Sequence, residues 1–147
     1  MAEPAWSWTL KTQIASSVDE GHRVMEAMLA ALSDNGWDGS EYFHVQMAAE
    51  EAMVNAVKHG NKEADDKRVD IEFAISPTEV YMRFKDEGEG FSPEELPDPR
   101  EEEHLECTNG RGVMLIHAMM TEVKYNKRGN QVEMWKSRSK EQLDASE

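Results

Sequence analysis

The chain has 147 residues, about the length of one domain, and a formal net charge of −14 from 30 acidic and 16 basic residues. This charge argues against direct binding to nucleic acid or to an anionic membrane, and leaves two interpretations: acidity that maintains solubility, or attraction to a basic protein partner. The single cysteine, Cys107, excludes a disulfide within the chain, and no stretch approaches the ~20 apolar residues of a membrane span.

The first half of the chain is predicted to form one strand and two helices. WSWTLKTQIAS, from Trp6, alternates like a first strand, and Ser17 or Asp19 can cap a helix from about Val18 to Leu32. A second helix is expected from about Ser40 to His59. The chain does not open with the basic region and apolar run of a secretory signal, so we expect a cytoplasmic protein.

The second half is predicted to be mostly strands. RVDIEFAIS (68–76) alternates apolar and polar residues, and EVYMRFKD (79–86) supplies an antiparallel partner. Residues 87–112 show almost no periodicity, and a loop of this length in a compact domain is usually functional or disordered. VMLIHAMM (113–120) is apolar on all sides and predicts a buried helix, followed by a hairpin over residues 121–136.

The predicted order of elements is β-α-α-β-β-loop-α-β-β. It indicates an α/β (α+β) two-layer sandwich, with a mixed, mostly antiparallel sheet and helices on one face. We expect a single domain over residues 1–147, with a core over about 6–137 and a frayed tail over about 138–147.

The second predicted helix carries a polar stripe. Glu51, Asn55, Lys58 and His59 stand at i, i+4, i+7 and i+8 and therefore share one side of an α-helix. The stripe is either a solvated helix face or a row of acid, amide and cation facing a ligand. An amide oxygen is a hard ligand that suits Mg²⁺, which combines a few protein oxygens with phosphates. His59 is expected to pack or to cap the helix end.

Two glycine motifs follow. Asp86, Gly88 and Gly90 come directly after a strand, where glycines let the backbone approach a ligand and a carboxylate accepts from an amine. The group Gly110, Arg111 and Gly112 leads into the apolar helix, whose free N–H groups attract phosphate. Each motif alone is equally typical of an ordinary loop.

The order and spacing of these motifs resemble the GHKL ATPase fold of histidine kinases and gyrase. EEAMVNAVKHGN, DEGEGF, GRGVMLIHAMM and GNQVEMWK are similar to the single-domain anti-sigma factor serine/threonine kinases of bacteria, over about residues 6–137. The resemblance implies the histidine-kinase-like ATPase fold, with ATP and Mg²⁺ as cofactors.

The resemblance also implies roles for individual residues. Asn55 is the implied Mg²⁺ ligand, and Glu51 is the acid that orients or deprotonates the attacking hydroxyl. Asp86 is implied to recognise the adenine amine, with Gly88 and Gly90 admitting the base. Phosphate contacts are implied for a further set: Gly110, Arg111, Gly112 and, as an additional candidate, Lys58.

The chain departs from the family pattern at two places. Thr121 stands where the family often has an aspartate, at a structural position. The implied lid over the triphosphate, residues 92–109, is acidic, with seven carboxylates and one arginine between Ser92 and Glu106. Carboxylates facing a triphosphate would repel it, so these are expected to face solvent or a partner. His104 and Cys107 lack a second pair at zinc-like spacing, so no metal site is predicted there.

The implied function is an ATP-dependent protein serine/threonine kinase that phosphorylates an anti-sigma-factor antagonist and sequesters a sigma factor. Such kinases are often homodimers, and the first strand and helix are candidate surfaces. The alternative is a nucleotide-dependent binding module without kinase activity: Glu51 favours the kinase, and the acidic lid favours the module. A histidine autokinase ranks third, because the chain has no room for a dimerisation helix pair that bears a phosphoacceptor histidine.

Overall fold

The computed structural model of the protein describes residues 6–61, 66–88, 116–126 and 130–138. The described elements, in chain order, are β1 (Trp8–Ala15), α1 (Val18–Asp34), α2 (Gly39–Val54), a π-helix (Asn55–Gly60), β2 (Arg68–Ile75), β3 (Glu79–Lys85), β4 (Glu122–Tyr125) and β5 (Gln131–Ser137). Residues 116–119 add a helical turn ahead of β4.

The five strands form one sheet in the order β1-β2-β3-β5-β4, and every pairing among them is antiparallel. Alternation along β2 and β3 sets the register, because a slip of one residue would turn the apolar side chains to the wrong face. The apolar residues of that alternation are all buried: Val69, Ile71, Phe73, Ile75, Val80, Met82 and Phe84. The predicted strands and the closing hairpin of β4 and β5 are confirmed.

Both long helices pack on the apolar face of the sheet. The side chain of Ser17 accepts a hydrogen bond from the Glu20 N–H and so caps α1, which settles the choice between Ser17 and Asp19. Helix and strand side chains share one buried cluster, which includes Met28 and Leu32 from α1. This arrangement confirms the predicted α+β sheet with helices on one face.

Helices α1 and α2 approach each other closely at Gly21. A Cβ added at this glycine would lie 2.4 Å from Sδ of Met53, far inside van der Waals contact. Met53 is fully buried, so its side chain has little room to give way. The small residue therefore lets α1 lie against the segment of α2 that precedes Asn55.

The other face of the sheet is polar. The Tyr81 hydroxyl donates to the Glu133 carboxylate at 2.7 Å, and Nε of Arg83 lies 3.2 Å from the Glu72 carboxylate. Burial and the neighbouring Glu133 raise the pKa of Tyr81 above its ordinary value. None of the helices in the described ranges combines the length and apolar character that crossing a membrane requires.

Two predictions about helices need correction. The predicted α-helix from Ser40 to His59 is α-helical only to Val54 and continues as the π-helix. In the predicted buried helix, the described part is not buried on all sides: Ile116 and Met120 are buried, whereas His117 and Ala118 are exposed. Positions i and i+4 share one helix side, so a surface turn can bury both while its other residues meet solvent.

Candidate functional site

The turn after β3 holds Asp86 in a defined conformation. Oδ1 of Asp86 accepts the Gly88 N–H at 2.8 Å, which closes a turn through the side chain. The Asp86 N–H donates to the Asn130 carbonyl at 2.9 Å, and Nδ2 of Asn130 donates back to the Asp86 carbonyl at 2.9 Å. Only 9% of Asp86 is exposed, so a carboxylate with a fixed direction stands at the edge of the sheet.

Asn61 joins the helix that carries Asn55 to this turn. Its side chain is fully buried, and Oδ1 accepts the Glu87 N–H at 2.7 Å. Nδ2 donates to Oγ of Ser16 at 2.9 Å and to the Arg68 carbonyl at 2.8 Å. The structure thus brings two predicted motifs together, the end of the polar helix and the start of the Asp86 motif.

The π-helix begins at Asn55. Asn61 N–H donates to the Ala56 carbonyl five residues back, at 2.9 Å, as π-helical bonding requires. The side-chain bonds of Asn61 anchor this end of the segment, which explains why the helix does not stay in α-register. Single π-turns inside helices occur frequently at functional sites.

The amide of Asn55 is the unusual group in this segment. Its Oδ1 is buried and accepts no hydrogen bond from any described residue. A buried polar atom without a partner costs about 1–3 kcal/mol, so proteins rarely retain one without a reason. A hard oxygen in this state fits a cation such as Mg²⁺.

Two adjacent glutamates of α2 have different environments. Glu50 accepts from Nε2 of His22 on α1, at 2.9 and 3.0 Å to its two oxygens. Glu51 is half-buried, and no hydrogen bond or ion pair joins its carboxylate to the described part of the chain. The two carboxylates therefore differ: Glu50 is paired with His22, and the Glu51 carboxylate has no partner among the described residues.

The predicted stripe runs from the α-helix into the π-helix at Asn55. Lys58 is exposed, whereas Oδ1 of Asn55 is buried. A π-turn places more residues in each turn than an α-helix does, so positions after Asn55 rotate away from the side that α-helical spacing predicts. Lys58 meets solvent.

Several predicted positions lie outside the described residues. These are Gly90, Gly110, Arg111, Gly112, the lid over 92–109, and the pair His104 and Cys107. Thr121 is described: Oγ1 accepts the Ser137 N–H at 3.0 Å, and its own N–H donates to the Trp135 carbonyl at 2.9 Å. These bonds are consistent with the prediction that Thr121 has a structural role.

Sequence reasoning missed the two buried asparagines, Asn61 and Asn130. Asparagine is usually exposed, and after a glycine it reads as a turn residue. A signal was nevertheless present, because Gly-Asn occurs at 60–61, after a helix, and again at 129–130, before a strand. Both asparagines bond to the backbone around Asp86, one from each side.

No three His, Cys, Asp or Glu side chains cluster within the described ranges in a way that could hold a metal ion. A cation at Asn55 would therefore need further oxygen ligands that these residues do not provide as a cluster. Nucleotide phosphates and water commonly supply such ligands to Mg²⁺.

Comparison with known proteins gives a consistent result. The chain matches the family described as "Histidine kinase-like ATPase domain" over residues 14–136. It is 29% identical over 107 residues to "Serine-protein kinase RsbW" of Oceanobacillus iheyensis, covering 68% of this chain and 68% of that protein. Proteins of the same name from Listeria monocytogenes serotypes 4a and 4b also match at 29% identity, with the same coverage of 68% on both sides.

Proposed function

The chain belongs to the histidine kinase-like ATPase family, and we propose that it is an ATP-binding serine/threonine-protein kinase that phosphorylates an anti-sigma-factor antagonist and sequesters a sigma factor. The observation that carries the nucleotide site is the buried Oδ1 of Asn55, which has no hydrogen-bond partner among the described residues. The similarity to serine-protein kinases supports the choice of reaction. We propose that residues 1–147 act as one cytoplasmic domain and that the kinase works as a homodimer.

Asp86 is proposed to select the base. Its backbone N–H and carbonyl both bond to Asn130, so the residue cannot swing away from the sheet edge. A carboxylate is an acceptor only, and the 6-amino group of adenine is a donor, so the two are complementary. Gly88, whose N–H bonds to Asp86, and Gly90 leave room for the base because they carry no side chain.

Asn55 is proposed to hold Mg²⁺ through Oδ1. The ion would neutralise charge on the β- and γ-phosphates, which is the chemistry that it supplies in phosphoryl transfer. Arg111, Gly110 and Gly112 are proposed to contact the phosphates, with Lys58 as an additional candidate. A divalent cation also relieves the cost of leaving Oδ1 of Asn55 without a partner.

Glu51 is proposed as the general base. The serine or threonine oxygen of the antagonist forms a bond to the γ-phosphorus while the bond from that phosphorus to the bridging oxygen of ADP breaks. The hydroxyl proton passes to the Glu51 carboxylate. The pairing of Glu50 with His22 supports this choice, since Glu51 makes no such pair with the described residues.

Transfer of radiolabelled γ-phosphate from ATP to candidate antagonists, in the presence of Mg²⁺, tests this function. A general base typically contributes 10²–10⁴-fold to rate and little to ground-state binding. We therefore expect Glu51→Gln to slow transfer by two or more orders of magnitude while ATP and the partner still bind. Glu50→Gln is the matched control and should transfer at nearly the wild-type rate.

Two outcomes would change the proposal. Equal rates for wild type and Glu51→Gln would remove Glu51 from the chemistry and leave positioning as the mechanism. If the wild type binds a partner in an ATP-dependent manner but transfers no phosphate to it, the protein is a nucleotide-dependent binding module. The acidic composition of residues 92–106 is the observation that favours this second function.

A further inference from the structure

The peptide group between Asp86 and Glu87 is held on both of its edges. Its carbonyl, from Asp86, accepts from Nδ2 of Asn130 at 2.9 Å. Its N–H, from Glu87, donates to Oδ1 of Asn61 at 2.7 Å. Asn61 and Asn130 approach it from different parts of the chain, the end of the π-helix and the start of β5.

Both asparagines are themselves fixed. Asn61 is fully buried, and its amide donates to the Ser16 hydroxyl and the Arg68 carbonyl. Asn130 is 6% exposed, and its Oδ1 accepts from Nδ2 of Asn126 at 2.7 Å. Neither amide can turn without leaving a buried polar group without a partner, which costs free energy.

A fixed peptide plane fixes the side chain beside it. The orientation of this plane determines the ψ angle of Asp86. On the other side of the residue, the Asp86 N–H donates to the Asn130 carbonyl and restrains the backbone there as well. The Asp86 carboxylate then has only its own rotamers left, and the bond from the Gly88 N–H to Oδ1 selects among them. The direction of the carboxylate therefore depends on Asn61 and Asn130, although neither needs to touch a ligand.

We propose that Asn61 and Asn130 are positioning residues that set base selectivity by clamping the Asp86–Glu87 peptide group. This inference rests on the proposed role of Asp86 in adenine recognition. In this arrangement Asn61, directly after the π-helix that begins at Asn55, holds the turn that would bind the base. Without the Asn61 contact, the Glu87 N–H loses its partner and the turn can rotate, so the carboxylate no longer meets the 6-amino group in one geometry.

The test compares ATP with purine riboside triphosphate, which lacks the 6-amino group and differs from ATP only there. Calorimetric titration of the full chain with each nucleotide, in Mg²⁺, gives a preference ratio. The wild type should prefer ATP, since a hydrogen bond to a charged group corresponds to roughly a tenfold or larger difference in affinity. In Asn61→Ala we expect that preference to fall about tenfold, with affinity for purine riboside triphosphate changed less than about twofold.

Three variants separate positioning from general stability. Asn61→Asp keeps an oxygen that can accept the Glu87 N–H, but it loses the amide donors and buries a carboxyl group, so it should retain the ATP preference while unfolding at a clearly lower temperature. Asn130→Ala should lose the preference as Asn61→Ala does, and it carries the test if Asn61→Ala does not fold. Trp37→Phe is the control for a lost buried bond: Nε1 of Trp37 donates to the Ser76 carbonyl at 2.8 Å, at the other end of β2. It should lose stability and keep the preference.

The outcomes distinguish this inference from the proposed function. An unchanged preference in both alanine variants, or an equal loss of affinity for both nucleotides, overturns the clamp and leaves the asparagines as structural residues. A wild type that binds both nucleotides equally well refutes base selection by Asp86 and the clamp with it. A wild type that binds neither nucleotide refutes the nucleotide site itself.

Discussion

Asn55→Ala is predicted to make the free protein more stable while it removes the effect of Mg²⁺ on nucleotide binding. The buried Oδ1 of Asn55 accepts no hydrogen bond from the described residues. Its removal relieves a desolvation cost of about 1–3 kcal/mol. Alanine is also the better helix former, by roughly 0.5 kcal/mol. Lost packing offsets part of this gain, so we expect a net rise of about 1–2 kcal/mol in the free energy of unfolding.

For a domain of this size, 1 kcal/mol corresponds to roughly 2–4 °C in Tm. The expected rise is therefore about 2–8 °C, measured by calorimetry without nucleotide or metal. Asn61→Ala is the matched control, because that asparagine is fully buried and its amide makes three hydrogen bonds. It should lose about 2–4 kcal/mol, since backbone groups of Glu87 and Arg68 are left without partners. Removal of an amide whose buried oxygen has no described partner and removal of a fully bonded amide should thus change stability with opposite signs.

The functional half of this prediction uses ATP titrations with and without Mg²⁺. The wild type should bind ATP more tightly when Mg²⁺ is present, and Asn55→Ala should show no such gain. If Asn55→Ala lowers Tm as strongly as Asn61→Ala does, the Asn55 amide is satisfied within the protein and the reasoning is refuted. A variant whose ATP affinity still rises with Mg²⁺ as in the wild type would place the metal elsewhere.

Two further predictions concern packing and pH. Gly21→Ala should lower Tm by several degrees, because its Cβ would lie 2.4 Å from Sδ of the buried Met53. Overpacking costs about 1–3 kcal/mol, which exceeds the ~1 kcal/mol that alanine gains in helix propensity. An unchanged or higher Tm would contradict this prediction. Burial raises the pKa of Tyr125 to about 12 from an ordinary value of 10.0, so its contribution to stability is complete below pH 10 and is lost as pH rises through 12. Urea unfolding at several pH values measures this contribution. Above pH 10 the free energy of unfolding should fall more steeply for the wild type than for Tyr125→Phe, by up to about 2–3 kcal/mol. Parallel curves for the two proteins would show that Tyr125 is not the source of the pH dependence.

Much of the fold could be predicted because the hydrophobic pattern determines it directly. Period-two alternation along β2 and β3 predicted which side chains are buried, and Phe73 and Met82 are fully buried as expected. Local hydrogen-bonding chemistry narrowed the N-cap of α1 to Ser17 or Asp19, and the structure selects Ser17. These features depend on short stretches of chain, so the sequence is sufficient.

The π-helix could not be predicted in the same way. Its register depends on the Asn61 N–H reaching Ala56 and on side-chain bonds from Asn61 to Ser16 and Arg68, which are distant in sequence. A pattern based on 3.6 residues per turn therefore placed Lys58 on the same side as Asn55. In the structure Lys58 is exposed.

The distinction between Glu50 and Glu51 also needed tertiary structure. Helical spacing brought Glu51 into line with Asn55, but only the fold shows that Glu50 pairs with His22 of α1. The contacts of Asn61 and Asn130 also needed tertiary structure, because their partners come from four separate parts of the chain: Ser16, Arg68, Asp86–Glu87 and Asn126. The candidate site residues themselves were recognisable from motif order, whereas the contacts that hold them were not.

Titration of ATP into the wild type and Asp86→Asn, in Mg²⁺, tests the nucleotide site most directly. Oδ1 of the new asparagine can still accept the Gly88 N–H, which Asp86 binds at 2.8 Å, so the turn and the Tm should be preserved. Its NH₂ then replaces the second carboxylate oxygen and presents a donor to the adenine amine. A lost charge-assisted bond of roughly 1.5–3 kcal/mol predicts that affinity falls about ten- to a hundredfold. Unchanged ATP affinity in a folded Asp86→Asn protein would contradict adenine recognition by Asp86.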